Sequence, residues 1–281
     1  MYGIVTYMKT IQKEFTGTLS EVLVKTTYQT SVTKPDDTDC ANPVGYGCGF
    51  IINYKNTLFF VTADHIVHFG DYDKNKRTGV DYVVSIYNNV KPKENPLSTV
   101  VTPLGGFYYM ERFNILKPKG LPELIDVSVC IMKERHFQYP FLTDEVHFPG
   151  LTIKAGESKF IFNEEHLTVP DTNTNYFIYG KIKYQMKGIR LYKKDTIKEK
   201  LKYIEKPDDY YLFNAPTKIQ HYDDWAGLSG SPVISETGSC VGVLCSVNVG
   251  TKSIFVMPID MVKMFMDIAL QQELLNANSA N

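Results

Sequence analysis

The stretch WAGLSGSPV, residues 225–233, sets Ser229 between glycines, follows with Pro232, and leads through Val233 towards a second apolar run, VGVLCSV. Small residues on both sides let a backbone turn tightly enough to expose the Ser229 hydroxyl. The same turn can aim the amides of Gly227 and Ser229 at one point, as an oxyanion hole requires. Gly, Ser and Pro also make ordinary turns between strands, so the stretch gains chemical meaning only if the chain supplies a base and a carboxylate.

Both are present. An apolar run at 58–61 ends in Thr62, Ala63, Asp64 and His65, within NTLFFVTADHIVHF. In GLPELIDVSVCIMK, Asp126 stands directly before the alternating Val127, Val129 and Ile131, a strand pattern that points Asp126 to the opposite face. The chain order is therefore His65, Asp126, Ser229. An α/β-hydrolase needs its histidine after the serine, and the last histidine is His221, so Ser229 does not belong to that class. The subtilisin order needs an aspartate-bearing strand ahead of the histidine, and none precedes His65.

VTADHIV, LIDVSVCIM and GLSGSPV, in this order, resemble the three signature blocks of the chymotrypsin-like (trypsin-like) serine proteases, over roughly residues 40–260. The resemblance implies an all-β fold of two packed six-stranded antiparallel β-barrels with a C-terminal α-helix. It also implies a catalytic set of His65, Asp126 and Ser229, with the oxyanion held by the amides of Gly227 and Ser229 and no cofactor or metal. By resemblance, Asp223, six residues before the serine, would lie at the base of the primary pocket as a buried carboxylate selecting Lys or Arg; HYDDWAGLSG departs from the disulfide-anchored loop of trypsin, so Asp223 and Asp224 also read as solvated loop acids. Cys245, Ser246, Val247 and Asn248 would line that pocket and pair with the substrate backbone.

Three positions depart from the secreted members of that family. Ile66 and Trp225 stand where disulfide cysteines are common. Leu228 stands where the zymogens carry an aspartate that pairs with a new N-terminal amine. Activation by N-terminal clipping is thus not expected, and the oxyanion loop is either formed constitutively or ordered by a partner protein or oligomer contact.

The remaining composition narrows the setting. The 281 residues are 43% hydrophobic, 22% charged and 13% aromatic, an ordinary globular make-up leaning towards β structure. A net charge of -1 offers no electrostatic footprint for nucleic acid or an anionic membrane. MYGIVTYMKTIQKEF lacks the continuous apolar core of a signal peptide, and no stretch reaches membrane-spanning length. The five cysteines, Cys40, Cys48, Cys130, Cys240 and Cys245, are odd in number and follow no framework spacing. Together these point to a reducing compartment, the cytoplasm, and by resemblance to the intracellular trypsin-like peptidases of bacteria; viral processing proteases share the same blocks. His65 and His68 form the sequence's one HxxH, which reads as strand-end spacing rather than a metal pair.

Along the chain, residues 17–33 read as an early strand and 48–61 as a hairpin that delivers His65. Further strands are expected near 80–89, 106–110, 159–162 and 176–182. The charged segment 191–209 reads as a surface insertion. A hairpin over 233–247 follows the serine. The terminal helix is expected to start at Asp260 as N-cap, with Val262, Phe265, Ile268 and Ala269 on one face. The barrels divide as 1–139, carrying His65 and Asp126, and 140–281, carrying Ser229. The leading expectation is a serine endopeptidase acting on a restricted protein or peptide target. The alternative is a protease-fold binding or scaffold protein that is inactive until a partner orders the oxyanion loop.

Overall fold

The computed structural model describes residues 17–37, 42–72, 77–89, 99–113, 121–132, 142–187 and 190–279. Thr18 opens it with a capping box: its hydroxyl accepts from the Glu21 N–H at 3.4 Å, while the Glu21 carboxylate accepts from the Thr18 N–H at 2.7 Å. That reciprocal pair starts a helix, α1 (Leu19–Thr26), which buries Val22, Leu23 and Val24. Residues 17–33 are therefore a helix followed by a strand, β1 (Tyr28–Thr33), rather than one strand. The Thr-x-x-Glu signal outweighs the β-branched composition.

β2 (Gly45–Tyr54) and β3 (Thr57–Thr62) form the expected hairpin. Its two-residue turn, Lys55 and Asn56, has φ of 49° and 61°, the type I′ twist that suits a tight hairpin. A one-turn helix, α2 (Asp64–Val67), follows β3 directly. Then come β4 (Val83–Asn89), β5 (Thr99–Pro103), β6 (Phe107–Tyr108), β7 (Glu111–Arg112), β8 (Glu123–Leu124) and β9 (Ser128–Ile131). The hairpin of β10 (Val146–Phe148) and β11 (Leu151–Ile153) precedes β12 (Phe162–Asn163), which pairs in parallel with β2 at Ile52 and Asn53. The first sheet runs β5-β4-β1-β2-β3-β9-β6 and curls as a half-barrel.

The second half closes completely. β13 (Tyr176–Lys187), β14 (Arg190–Glu205), β15 (Tyr211–Asn214), β16 (Pro232–Ser235), β17 (Cys240–Val247) and β18 (Ser253–Pro258) form a six-stranded barrel in the order β13-β14-β15-β18-β17-β16. The charged segment expected as a surface insertion is β14, a barrel strand. Leu201 is buried there, whereas Ile204 is exposed. Closure leaves this barrel without a free edge.

A C-terminal helix, α3 (Ile259–Ser279), begins one residue before Asp260, which lies in its first turn rather than at the N-cap. It buries Val262, Phe265, Met266 and Ala269, while Ile268 stays 39% exposed. Those side chains continue a core that joins Phe50, Phe59, Val61 and Val129 of the first sheet to Val243 and Met257 of the barrel. Each such buried side chain contributes roughly 1.5–3 kcal/mol. A separate cluster of Tyr176, Ile178, Phe213, Leu228, Val233 and Ile254 fills the barrel interior. The architecture is the chymotrypsin-like double-barrel arrangement with a C-terminal helix, in which only the second half closes as a six-stranded barrel and the first, among the described residues, is a half-barrel sheet. The expected division at 139/140, Cys40 and the N-terminal 16 residues lie outside the described residues. Among the described residues no helix is long and apolar enough to cross a membrane.

Candidate active site

β3 ends at Thr62, and the chain turns at once into α2, so His65 stands at the rim of the half-barrel. Asp126 sits just before β9, which pairs with β3 from Thr62↔Ser128 to Phe59↔Ile131. That register sets the carboxylate beside the imidazole. Asp126 accepts from the His65 backbone N–H at 3.0 Å, and His65 Nδ1 lies 2.9 Å and 3.0 Å from its two oxygens. Asp126 is buried, whereas the His65 side chain keeps 32% exposure, and the opposite ring nitrogen makes no hydrogen bond among the described residues.

Burial works against charge on His65, but the Asp126 charge and hydrogen bond, helped by Asp64, outweigh it and hold the imidazole above its usual range. Burial likewise tends to raise Asp126, and the paired imidazole wins, holding the carboxyl below its ordinary value.

The serine turn is pinned from the other half. Gly227 and Gly230 have φ of 99° and 83°, conformations that favour glycine. A Cβ on Gly230 would fall 2.0 Å from the Cys48 carbonyl and 2.5 Å from Thr62 Oγ1; one on Gly227 would fall 2.6 Å from the Lys181 carbonyl. The turn is thus pressed against the strands that carry His65. The Cys48 N–H donates to the Ser229 carbonyl at 2.8 Å, and the Gly230 N–H to the Leu244 carbonyl at 2.8 Å. Between these bonds, the N–H groups of Gly227 and Ser229 donate to no backbone carbonyl among the described residues. Leu228, fully buried in the barrel core, anchors the loop by packing. Ser229 Oγ lies 3.5 Å from the Cys245 carbonyl and makes no hydrogen bond to His65.

Cys245 joins the pieces differently from the sequence expectation. Its thiol is buried and donates to the Asp126 carbonyl at 3.1 Å, so it does not line a substrate pocket. The cause is a break in β17–β18 register between Leu244 and Ser246, which turns the intervening side chain inwards. Ser246 and Asn248 are exposed and Val247 half-buried, on the open side of the same strand.

Asp223 also needs correction: it is exposed, not buried at a pocket base. HYDDW forms a short 3₁₀ turn in which the Trp225 and Ala226 N–H groups both donate to the Tyr222 carbonyl. Trp225 then drops into the barrel core. With that aromatic anchor inside, the two acids ride outside, Asp224 paired with Lys183 at 2.8 Å. Asp223 borders an open hollow of about 430 Å³ together with Tyr46, Lys183, Tyr184 and Gly227.

The sequence reading missed a second cluster beside His65. Asp64, fully buried, lies 2.9 Å from His68 Nδ1 through each oxygen, and accepts from Tyr72 OH at 2.9 Å and from the Ser128 hydroxyl. The Tyr72 ring meets the His65 ring edge to face, with centroids 5.8 Å apart. The i,i+4 spacing of Asp64 and His68 on a helical turn was the available signal. Among the described residues no three His, Cys, Asp or Glu side chains gather as a metal site.

The fold sets a closed six-stranded barrel beside a half-barrel sheet in the chymotrypsin-like arrangement, and it carries a hydrogen-bonded His65–Asp126 pair and a glycine-bounded serine turn. Comparison with known proteins finds no matching family model and no matching curated protein. Among solved structures, the chain is similar to the serine endoprotease from Yersinia pestis, at 10% identity and TM-score 0.47, covering 92% of this chain and 68% of that one. It is also similar to the Rv3671c protease from M. tuberculosis in its active form, at 12% identity and TM-score 0.42, covering 89% of this chain and 82% of that one. An inactive form of Rv3671c, a serine-to-alanine mutant, gives 13% identity and TM-score 0.39, covering 88% and 87%.

Proposed function

We propose that the protein is a serine endopeptidase in which Ser229 attacks the scissile carbonyl, with His65 as base and then acid. The observation that carries this reading is the His65–Asp126 pair, whose 2.9 Å bond fixes the imidazole with Nδ1–H towards the carboxylate. The other nitrogen is then unprotonated and able to take the serine proton, which it later delivers to the leaving amine. Asp126 stabilises the imidazolium formed in between. The carbonyl oxygen gains charge as Ser229 bonds to carbon, and the uncommitted amides of Gly227 and Ser229 are suited to receive it, at roughly 3–4 kcal/mol per donor. An acyl-enzyme forms, and water releases it by the same steps in reverse.

Ser246 to Asn248 are the residues proposed to pair with the substrate backbone, with Asp223 bordering the hollow beside the oxyanion loop. The four described cysteines are free and buried, which supports a reducing compartment such as the cytoplasm. A restricted protein target and barrels dividing near residue 140 belong to the same proposal. One observation favours the second reading, a partner-dependent protein: Ser229 Oγ turns to the Cys245 carbonyl rather than to His65. Incubation with a peptide library, read by mass spectrometry, separates the two. Internal cleavages made by the wild type and absent with Ser229→Ala support the protease; an intact library with folded protein supports the second reading.

A further inference from the structure

Behind the oxyanion loop, where β1, β2 and β13 approach one another, lies a cavity of about 20 Å³ lined in part by Gln29, Cys48, Asp144, Lys159 and Lys181. Lys159, Lys181 and Asp144 line it, and Lys193 and Asp195 pair with them from just outside, three lysines against two aspartates. Lys181 pairs with Asp195 at 2.7 Å and Asp144 at 3.5 Å, and Lys193 pairs with Asp144 at 2.8 Å. Lys159 is left over. It is only 3% exposed, and its ammonium sits 3.8 Å over the Tyr28 ring, with no ion pair or hydrogen bond among the described residues. Gln29 supplies a second unspent donor. Its Oε1 accepts from Lys193 at 3.0 Å, which fixes the amide orientation, and its Nε2 is buried without a partner.

An ammonium on an almost wholly buried residue, with an aromatic ring as its neighbour and no carboxylate paired to it, and a buried amide donor without a partner both border one cavity, and each is costly to leave so. The space holds about one water-sized ligand, which favours a small spherical anion over sulfate or phosphate. We propose that this cavity binds a single halide-sized anion, chloride in ordinary media, held by Lys159 Nζ and Gln29 Nε2. A water could accept both hydrogen bonds, but only an anion also balances three ammoniums against two carboxylates.

The charge balance makes binding depend on pH. Burial, reinforced by Lys181 and Lys193 and opposed by Cys48 and Asp144, brings Lys159 down to about 7. Below that value the ammonium needs a counter-ion; above it the neutral amine does not, and the anion leaves. Apparent affinity scales with the protonated fraction, so it falls about tenfold between pH 6 and pH 8. The walls of the cavity also touch the loop of the proposed oxyanion hole. Cys48 Sγ donates to the Gly227 carbonyl at 3.2 Å, and Gly180 packs so closely on Leu228 that an added Cβ would meet it at 2.7 Å.

The test needs no catalytic activity, so its outcome is independent of the protease reading. Thermal unfolding is followed in sodium chloride or bromide against sodium gluconate at matched ionic strength, at pH 6 and pH 8, for the wild type, Lys159→Met and Gln29→Leu. Bromide-soaked crystals are examined by anomalous scattering. The proposal expects a midpoint that rises with halide at pH 6, about tenfold weaker apparent affinity at pH 8, loss of the halide response in Lys159→Met and a weaker one in Gln29→Leu. It also expects a bromide peak between Lys159 and Gln29. Equal responses to halide and gluconate in the wild type, a full halide response in both variants, or a cavity without bromide would each overturn it. Should Lys159→Met not fold, Gln29→Leu and the bromide map decide the question.

Discussion

Two histidine–aspartate pairs have their histidines three residues apart, and only one of them is the proposed catalytic pair. His65 pairs with Asp126, 61 residues away in sequence, while His68 pairs with Asp64 inside a single helical turn. Their bond lengths are the same, 2.9 Å, and each carboxylate is buried. Charge on the paired carboxylate also holds both imidazoles above the usual range against the opposing effect of burial. What separates them is what lies beyond. Asp126 is tied through Cys245 to the strand behind Ser229, whereas Asp64 spends its remaining capacity on Tyr72 and Ser128. Strength of pairing therefore does not single out the proposed base; the company each carboxylate keeps does.

Removing the long-range pair should cost the most. Ser229→Ala and His65→Ala are expected to lower kcat by about 10⁵–10⁶-fold, and Asp126→Asn by about 10⁴-fold, in assays of peptide hydrolysis. His68→Ala should change kcat less than about tenfold; a loss as large as that of His65→Ala would mean the roles have been assigned to the wrong pair. Gly227→Ala comes next. Its Cβ would collide with the Lys181 carbonyl, so the amide must move, and a fall of about 10²–10³-fold in kcat with little change in KM is expected.

Leu228→Asp sharpens the comparison from the side of stability. Zymogen-type proteases use an aspartate here, but this position is fully buried among apolar side chains, and a carboxylate there should destabilise by about 3–5 kcal/mol in denaturant titration.

The smallest expected effect is electrostatic. Hydrolysis needs neutral His65, whose value is raised, so the acidic limb of kcat/KM should fall above the unperturbed 6.5 or so. Asp64→Asn removes one of the charges that raise it and should move that limb to lower pH without abolishing turnover. For stability the sign is opposite at the two ends. The raised His65 contributes fully below its unfolded value, and that contribution is lost as pH rises through the folded one. The depressed Asp126 contributes above its unfolded value, and that contribution is lost as pH falls through the folded one. Both describe the same pair and count once.

The contrast between the pairs also marks what a linear sequence reveals. The three blocks around His65, Asp126 and Ser229 were legible because each is a local pattern: an apolar run ending in histidine, an acid opening an alternating strand, a serine between glycines. The hairpins and terminal helix were legible for the same reason. β14 was not, because barrel closure, a non-local event, gives a lysine-rich segment its strand partners. Helix α1 was misread although its capping box was in plain view. Asp223 and Cys245 were misplaced because their side-chain directions depend on the Trp225 anchor and on a register break, neither of which spacing encodes. Asp64 and His68 stood in the sequence at helical spacing, but only the burial of Asp64 turns that spacing into a network.

The most direct test of the central claim is labelling of the folded protein with a fluorophosphonate probe, read by intact mass and peptide mapping, with Ser229→Ala and His65→Ala as controls. Rapid addition of one phosphonyl group at Ser229, absent in both variants, is the predicted result, because it requires nucleophile, base and oxyanion donors to be assembled together. Folded wild-type protein that stays unlabelled, or labelling that survives in His65→Ala at the wild-type rate, would contradict the account.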